Sequence, residues 1–248
     1  MSGLESAVAE RAQTPLRGPN AVVRASNVFF SYGGADSFTL QVDSLDIFAG
    51  ERVALVGPSG CGKTTLVSLL AGVLTPQRGE IDLAGVRVSA ATDEQRRALR
   101  IRTVGMVFQE FELLEYLSAM DNILLAFHVA PRRAGLTLDR AARQRAQALA
   151  QRVGIQHVLH RGPRRLSQGE RQRVAICRAL VTEPTLVIAD EPTGNLDPVS
   201  AAATLDLLFE QTRRAGATLL MVTHNHAILD RFDRVLDLPK VAQIGRPA

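Results

Sequence analysis

The chain has 248 residues, 46% of them hydrophobic, enough to bury a sizeable core in one large domain or two tightly joined subdomains. Its 29 Lys and Arg against 25 Asp and Glu leave a net charge of +4, but the arginines are scattered through Arg96 to Arg102, Arg132 to Arg152 and Arg161 to Arg178. That spread argues against a dedicated nucleic-acid face and fits a solvated surface or nearness to anionic lipid.

No apolar stretch approaches the roughly 20 residues that cross a bilayer. Met1 to Asn20 reads as a flexible tail without a signal-peptide core, so a cytoplasmic location is expected. Apolar runs at Val22 to Phe30, Phe38 to Ile47 and Arg52 to Val56 read as strands, separated by Gly33-Gly34 and by Gly50. Lys63 to Val73 reads as a helix, and Glu80 to Leu83 with Val86 to Val88 as a hairpin around Gly85. From Asp93 to Arg178 the pattern is mainly helical, clearest at Asp121 to Val129 and Leu138 to Val153, with one strand at Val104 to Phe108. Strand-like runs at Leu186 to Ala189, Thr218 to Val222 and Arg234 to Leu238 then alternate with helical segments. That rhythm predicts an α/β fold with a mainly parallel central sheet, a small antiparallel β subdomain and an inserted helical subdomain. Residues 21–248 are expected to form one domain, with a core of 21–92 and 180–240 and the helical subdomain at 93–179.

Gly57-Pro58-Ser59-Gly60-Cys61-Gly62-Lys63-Thr64-Thr65 follows a strand and opens a helix, the context that a phosphate-binding P-loop requires. Its glycines let backbone N–H groups turn toward phosphate, and the helix dipole favours the same anion. Lys63 neutralises β/γ-phosphates and the Thr64 hydroxyl reaches Mg²⁺, so the expected ligands are a nucleotide's phosphates and Mg²⁺. Lys63 and Lys240 are the only lysines in a chain that otherwise uses arginine, and a compact ammonium suits a site where a planar guanidinium does not fit. Cys61 lies inside this loop and Cys177 in an amphipathic segment, so neither suggests a disulfide or a metal site.

The apolar run Leu186 to Ala189 ends in Asp190 and Glu191, at the strand end where ligands of open α/β sheets collect. Asp190 is expected to contact Mg²⁺ and Glu191 to polarise the attacking water; alone, the pair reads equally as an acidic turn. Gln109 and His224 also follow strands. An amide there can orient water and contact the metal, and an imidazole can bind phosphate or hold water in line, though each is singly more common as a plain polar strand end. Leu166-Ser167-Gln168-Gly169-Glu170 precedes a helix, another anion-favouring start, which by physics alone is an ordinary N-capped helix with an arginine face.

These motifs in this order, with Val107-Phe108-Gln109, Asn195-Leu196-Asp197 and Thr223-His224, resemble the ATP-binding subunit of ABC transporters over Val22 to Leu238. The resemblance implies a P-loop NTPase with a RecA-like core, and a head-to-tail pair formed with a second copy or a paralogue. In it Ser167 and Gly169 cap the γ-phosphate in trans, Asp197 touches the opposite protomer, and Glu191 is the general base. Tyr32 in Ser31-Tyr32-Gly33-Gly34 matches the adenine-stacking aromatic, a sheet-edge tyrosine being the alternative. The resemblance further implies a transmembrane permease partner, with Gln109 to Leu117 forming part of its docking groove, a peripheral place on the inner membrane face, and no specific nucleic acid. Arg102 to Leu114, Asp121-Asn122 and Gly169 to Ile176 look like the branch of lipoprotein-releasing, macrolide-export and cell-division ATPases. The signature departs from the family in Gln168, where glycine is usual, and Glu170, where glutamine is frequent. A soluble ABC ATPase acting on nucleic acid or the ribosome is the second reading.

Overall fold

The computed structural model describes residues 20–33, 38–130, 132–194 and 196–245. The expected flexible tail lies outside these residues except for Asn20, as do Gly34 and Asn195 of the quoted motifs. In chain order the elements are β1 (Ala21–Ser31), β2 (Thr39–Phe48), β3 (Arg52–Val56), α1 (Lys63–Leu70), β4 (Arg78–Leu83), β5 (Val86–Arg87), α2 (Asp93–Thr103), β6 (Val104–Val107), α3 (Ala119–Ile123), α4 (Leu125–Val129), α5 (Arg140–Arg152), α6 (Gln168–Leu180), β7 (Leu186–Asp190), α7 (Pro198–Arg214), β8 (Thr218–Val222), β9 (Arg234–Asp237), α8 (Leu238–Val241) and β10 (Gln243–Gly245). The fold is α/β. It divides into two compact units, one of residues 1–96 and 218–248, the other of residues 97–217.

The first unit contains an antiparallel sheet ordered β10-β2-β1-β4-β5. Val23, Ala25, Val28 and Phe30 of β1 are buried, and Leu40, Val42, Leu45 and Ile47 of β2 face inward with them. The register of β1 on β4 shifts between Ser26 and Phe29, where Asn27 takes a φ of 49°. A Cβ on Gly79 would lie 2.2 Å from the Asn27 carbonyl oxygen, so this irregularity depends on a glycine opposite it. In the same unit β3 pairs in parallel with β8 and β9. The near-continuous burial of β3 and β8 explains their apolar sequences, as parallel strands are covered on both faces. Helix α1 stops three residues short of the expected Val73. Gly72 takes φ 66°, and the Val73 and Gly72 amides donate to the Ser68 and Leu69 carbonyls, a Schellman ending.

In the second unit β6 pairs in parallel with β7, Val104 opposite Leu186 and Val107 opposite Ala189. Helix α6 lies on β6 so closely that a Cβ on Gly105 would sit 2.1 Å from the Ala179 carbonyl oxygen. Its buried face includes Val174, Ala175, Ile176, Cys177, Ala179 and Leu180; burial pushes the Cys177 thiol up to about 12. Asp139 caps α5, accepting from the Ala142 amide at 2.8 Å, and Ala142, Ala146, Leu149 and Ala150 form its buried stripe. The single helix expected at Asp121 to Val129 is two short ones, α3 and α4, meeting at Leu124.

Candidate nucleotide-binding and catalytic site

The phosphate loop follows β3 in the first unit. Gly60 and Gly62 take φ of 70° and 100°, left-handed values that glycine reaches freely. Gly62 is the N-cap of α1, and neither a side-chain cap nor an acidic residue occupies the first turn. A helix start of this kind is open to an anion. Lys63 Nζ donates to the carbonyl oxygens of Gly57 at 2.8 Å and Pro58 at 3.0 Å, so its ammonium arches across the loop. Pro58, Ser59 and Thr64 are exposed. Cys61 is buried, its Sγ 2.8 Å from where a Gly57 Cβ would be, with Pro239 Cδ at 3.3 Å from the same point. The thiol packs the inside of the loop, and α8 supports it.

Tyr32 lies one residue beyond β1 and is 62% exposed. Its ring stands edge-on to Phe30 at 4.9 Å and tilted to Phe38 at 6.2 Å, while its hydroxyl is 3.1 Å from Thr65 Oγ1. The tyrosine is thus tied to the first turn of α1. Two residues that the sequence did not single out complete this corner. Phe38 covers Gly62, its Cζ 2.5 Å from the position of a Cβ there. Gln77 holds the end of β1, accepting from the Ser31 amide at 2.8 Å and donating to the Ser31 carbonyl at 2.6 Å. An aromatic at the start of a strand that faces a glycine loop was the available signal for Phe38. His224 is exposed just past β8, where the Thr223 amide donates to Leu55 of β3 at 3.1 Å. It therefore shares the C-terminal strand edge that carries the loop.

In the second unit, Gln109, Asp190 and Glu191 gather at the C-terminal ends of β6 and β7. Glu191 takes φ 44°, a left-handed conformation that non-glycine residues adopt at a cost and often at functional sites. The Gly194 amide closes the turn onto the Glu191 carbonyl at 3.0 Å. A Cβ on Gly194 would be 3.1 Å from Gln109 Nε2, so the glutamine amide rests against this same turn. Beneath it the buried Gln172 of α6 donates to the Pro192 carbonyl at 2.9 Å and accepts from Thr204 Oγ1 at 2.7 Å. A glutamine on the otherwise apolar buried face of α6 was the signal for this brace.

Ser167, Gln168 and Gly169 form an exposed helix start in this unit. Ser167 Oγ accepts from the Glu170 amide at 3.2 Å, and Glu170 Oε2 accepts from the Ser167 amide at 2.7 Å, a complete capping box. The Ser167 amide, and after it the Ser167 hydroxyl, hold the Glu170 carboxyl below its usual range. Glutamate at 170 thus has a structural use, and its carboxylate also lies 3.5 Å from His157. Gln168 is the first helical residue, and a Cβ on Gly169 would meet nothing within 4 Å. Asp197 is the exposed N-cap of α7, accepting from the Val199 and Ser200 amides at 3.1 Å each. Its carboxyl is lowered, first by the Ser200 hydroxyl.

The ABC transporter family profile matches residues 40–194. The lipoprotein-releasing system ATP-binding protein LolD of Pseudomonas syringae pv. tomato is 43% identical over 220 residues, covering 88% of this chain and 95% of its own. LolD of Xanthomonas oryzae pv. oryzae is 40% identical, covering 91% of each. Among solved structures, the dimeric post-hydrolysis form of the ATP-binding cassette MJ0796, bound to ADP and Pi, superposes with a TM-score of 0.76 at 29% identity, over 91% of this chain and 99% of its own. These relatives do not favour the nucleic-acid or ribosome reading. The chain is therefore an ATP-binding and ATP-hydrolysing subunit, and it belongs to the ABC transporter family.

Proposed function

We propose that this subunit hydrolyses MgATP as a head-to-tail dimer and drives a membrane partner in a lipoprotein-releasing type of complex, held through that partner at the cytoplasmic face of the membrane. Similarity to LolD over most of the chain supports the task. No described helix is long and apolar enough to cross a membrane, so the spanning segments would belong to the partner.

The observation that carries the dimer is the start of α6. Ser167, Gln168 and Gly169 are exposed, and the space over Gly169 is open. The helix caps its own first turn through Glu170, yet it presents its positive end outward, where a γ-phosphate held by another protomer's Lys63 loop would sit. In each protomer Lys63 and the first-turn amides of α1 bind phosphate, and Tyr32 flanks the base. The Glu191 carboxylate is of the type that accepts a proton from an attacking water, and the amide of Gln109 and the imidazole of His224 are of types that orient water or bind phosphate. By type, the oxygen-bearing side chains of Thr64, Gln109 and Asp190 suit magnesium, a hard ion that keeps several waters. When bound, it supplies charge neutralisation on the phosphates.

Light scattering and steady-state turnover test this reading. Glu191→Gln should lower turnover about 100-fold or more and accumulate an ATP-dependent dimer. Adding Gly169→Asp should abolish that dimer while nucleotide binding to the monomer persists. A dimer that survives Gly169→Asp would refute the trans site.

A further inference from the structure

Immediately after Gln109 the chain enters an uncommon conformation. Phe111 and Glu112 are consecutive non-glycine residues with φ of 64° and 49°, and both belong to the left-handed region that side chains disfavour. Arg178 of α6 meets both. Its Nη1 donates to the Glu112 carbonyl and its Nη2 to the Phe111 carbonyl, so one planar guanidinium spans two neighbouring peptide groups. Burial lowers the Arg178 pKa, and the Glu112 carboxylate offsets part of that effect.

The other end of the segment is held by the fully buried Asn122 of α3. Its Oδ1 accepts from the Leu114 amide at 2.8 Å. Its Nδ2 donates to the carbonyls of Leu114, Leu117 and Ser118 at 3.1, 3.3 and 3.0 Å. Between the two clamps Tyr116 is 82% exposed. Helices α3 and α6 pack on each other, so both clamps belong to one body, and Arg178 is the side chain through which the signature helix grips the strained pair directly.

We propose that Arg178 is a positioning residue that relays engagement of the Ser167 and Gly169 helix start to the segment carrying Tyr116. The inference rests on the trans role of that helix start. Arg178 touches no nucleotide, and it acts by making the conformation of residues 111–117 depend on the placement of α6. Loss of the guanidinium leaves the strained carbonyls without their donor and lets the segment relax independently of the helix.

The chain has no tryptophan, so Tyr116→Trp installs a single reporter. In a Glu191→Gln, Tyr116→Trp protein, ATP should change the tryptophan emission as the dimer forms. Arg178→Met and Arg178→Lys should at least halve that change, with nucleotide affinity and ATP-dependent dimerisation preserved. An unchanged amplitude in both variants overturns the proposal, and so does an absent ATP-linked change in the parent. Light scattering on the same samples separates the two failures, because a parent that forms no dimer refutes the trans site first and the relay with it. Hydrogen exchange on the unsubstituted chain guards against variants that do not fold. Amides of 110–117 and 167–180 should gain protection together on ATP addition, and protection confined to 167–180 would overturn the relay.

Discussion

At Gly62 two constraints coincide: a left-handed φ of 100° and the ring of Phe38 in the space a Cβ would need. Gly62→Ala should therefore lose about 1–2 kcal/mol of stability from the backbone alone and weaken nucleotide binding. The ring is the movable part, so adding Phe38→Leu should recover little of the stability, since the backbone strain stays. Thermal melts with a nucleotide titration of both variants check this, and full recovery in the double variant would show that the ring, not φ, governs the site. The loop from Gly57 to Gly62, between β3 and α1, was legible in the sequence because its residues are contiguous. Phe38, Gln77, Gln172 and Arg178 were not, since each acts on main-chain or glycine atoms brought close only by folding. Gln172 meets a carbonyl 20 residues away, and Arg178 meets carbonyls 66 and 67 residues away.

At the scale of the elements, α6 closes its first turn with a capping box. The Glu170 carboxyl is held below its usual range by Ser167, so its contribution is complete above the ordinary carboxylate pKa and fades as pH falls through the lowered value. Glu170→Gln keeps a box-forming side chain but cannot titrate. Its melting temperature should match that of the parent near neutrality and fall less between about pH 5 and about pH 3. Identical acid profiles would assign the acid sensitivity elsewhere. The same helix shows what pattern reading captures. Its capping box and apolar face are local, and both are visible as Ser167, Glu170 and the Val174 to Cys177 run. Element ends were harder to read, because the stop of α1 is set by Gly72 in a hydrogen-bonded ending and β10 exists only through pairing with residues 39–41 of β2.

For the molecule as a whole, the order of strands and helices announced the fold class, since a parallel α/β arrangement follows from alternation. The proposed dimer, by contrast, would depend on surfaces. Val199, two residues past Asp197 at the start of α7, is 80% exposed and would be covered if Asp197 meets a second protomer. Val199→Asp should leave the melting temperature unchanged and weaken the ATP-dependent dimer about tenfold, or 1.4 kcal/mol. Sedimentation of the Glu191→Gln protein with and without this substitution measures it, and an unaltered association constant would remove Val199 from the interface.

The backbone contact of Gly105 with Ala179 gives α6 a fulcrum. From Ser167 to that point the helix is a stiff arm of about 18 Å, while Arg178 applies its load one residue from the pivot. A lever loaded so near its support trades travel for force. Any swing of the Ser167 end about that point would reach Phe111 and Glu112 as a much shorter stroke.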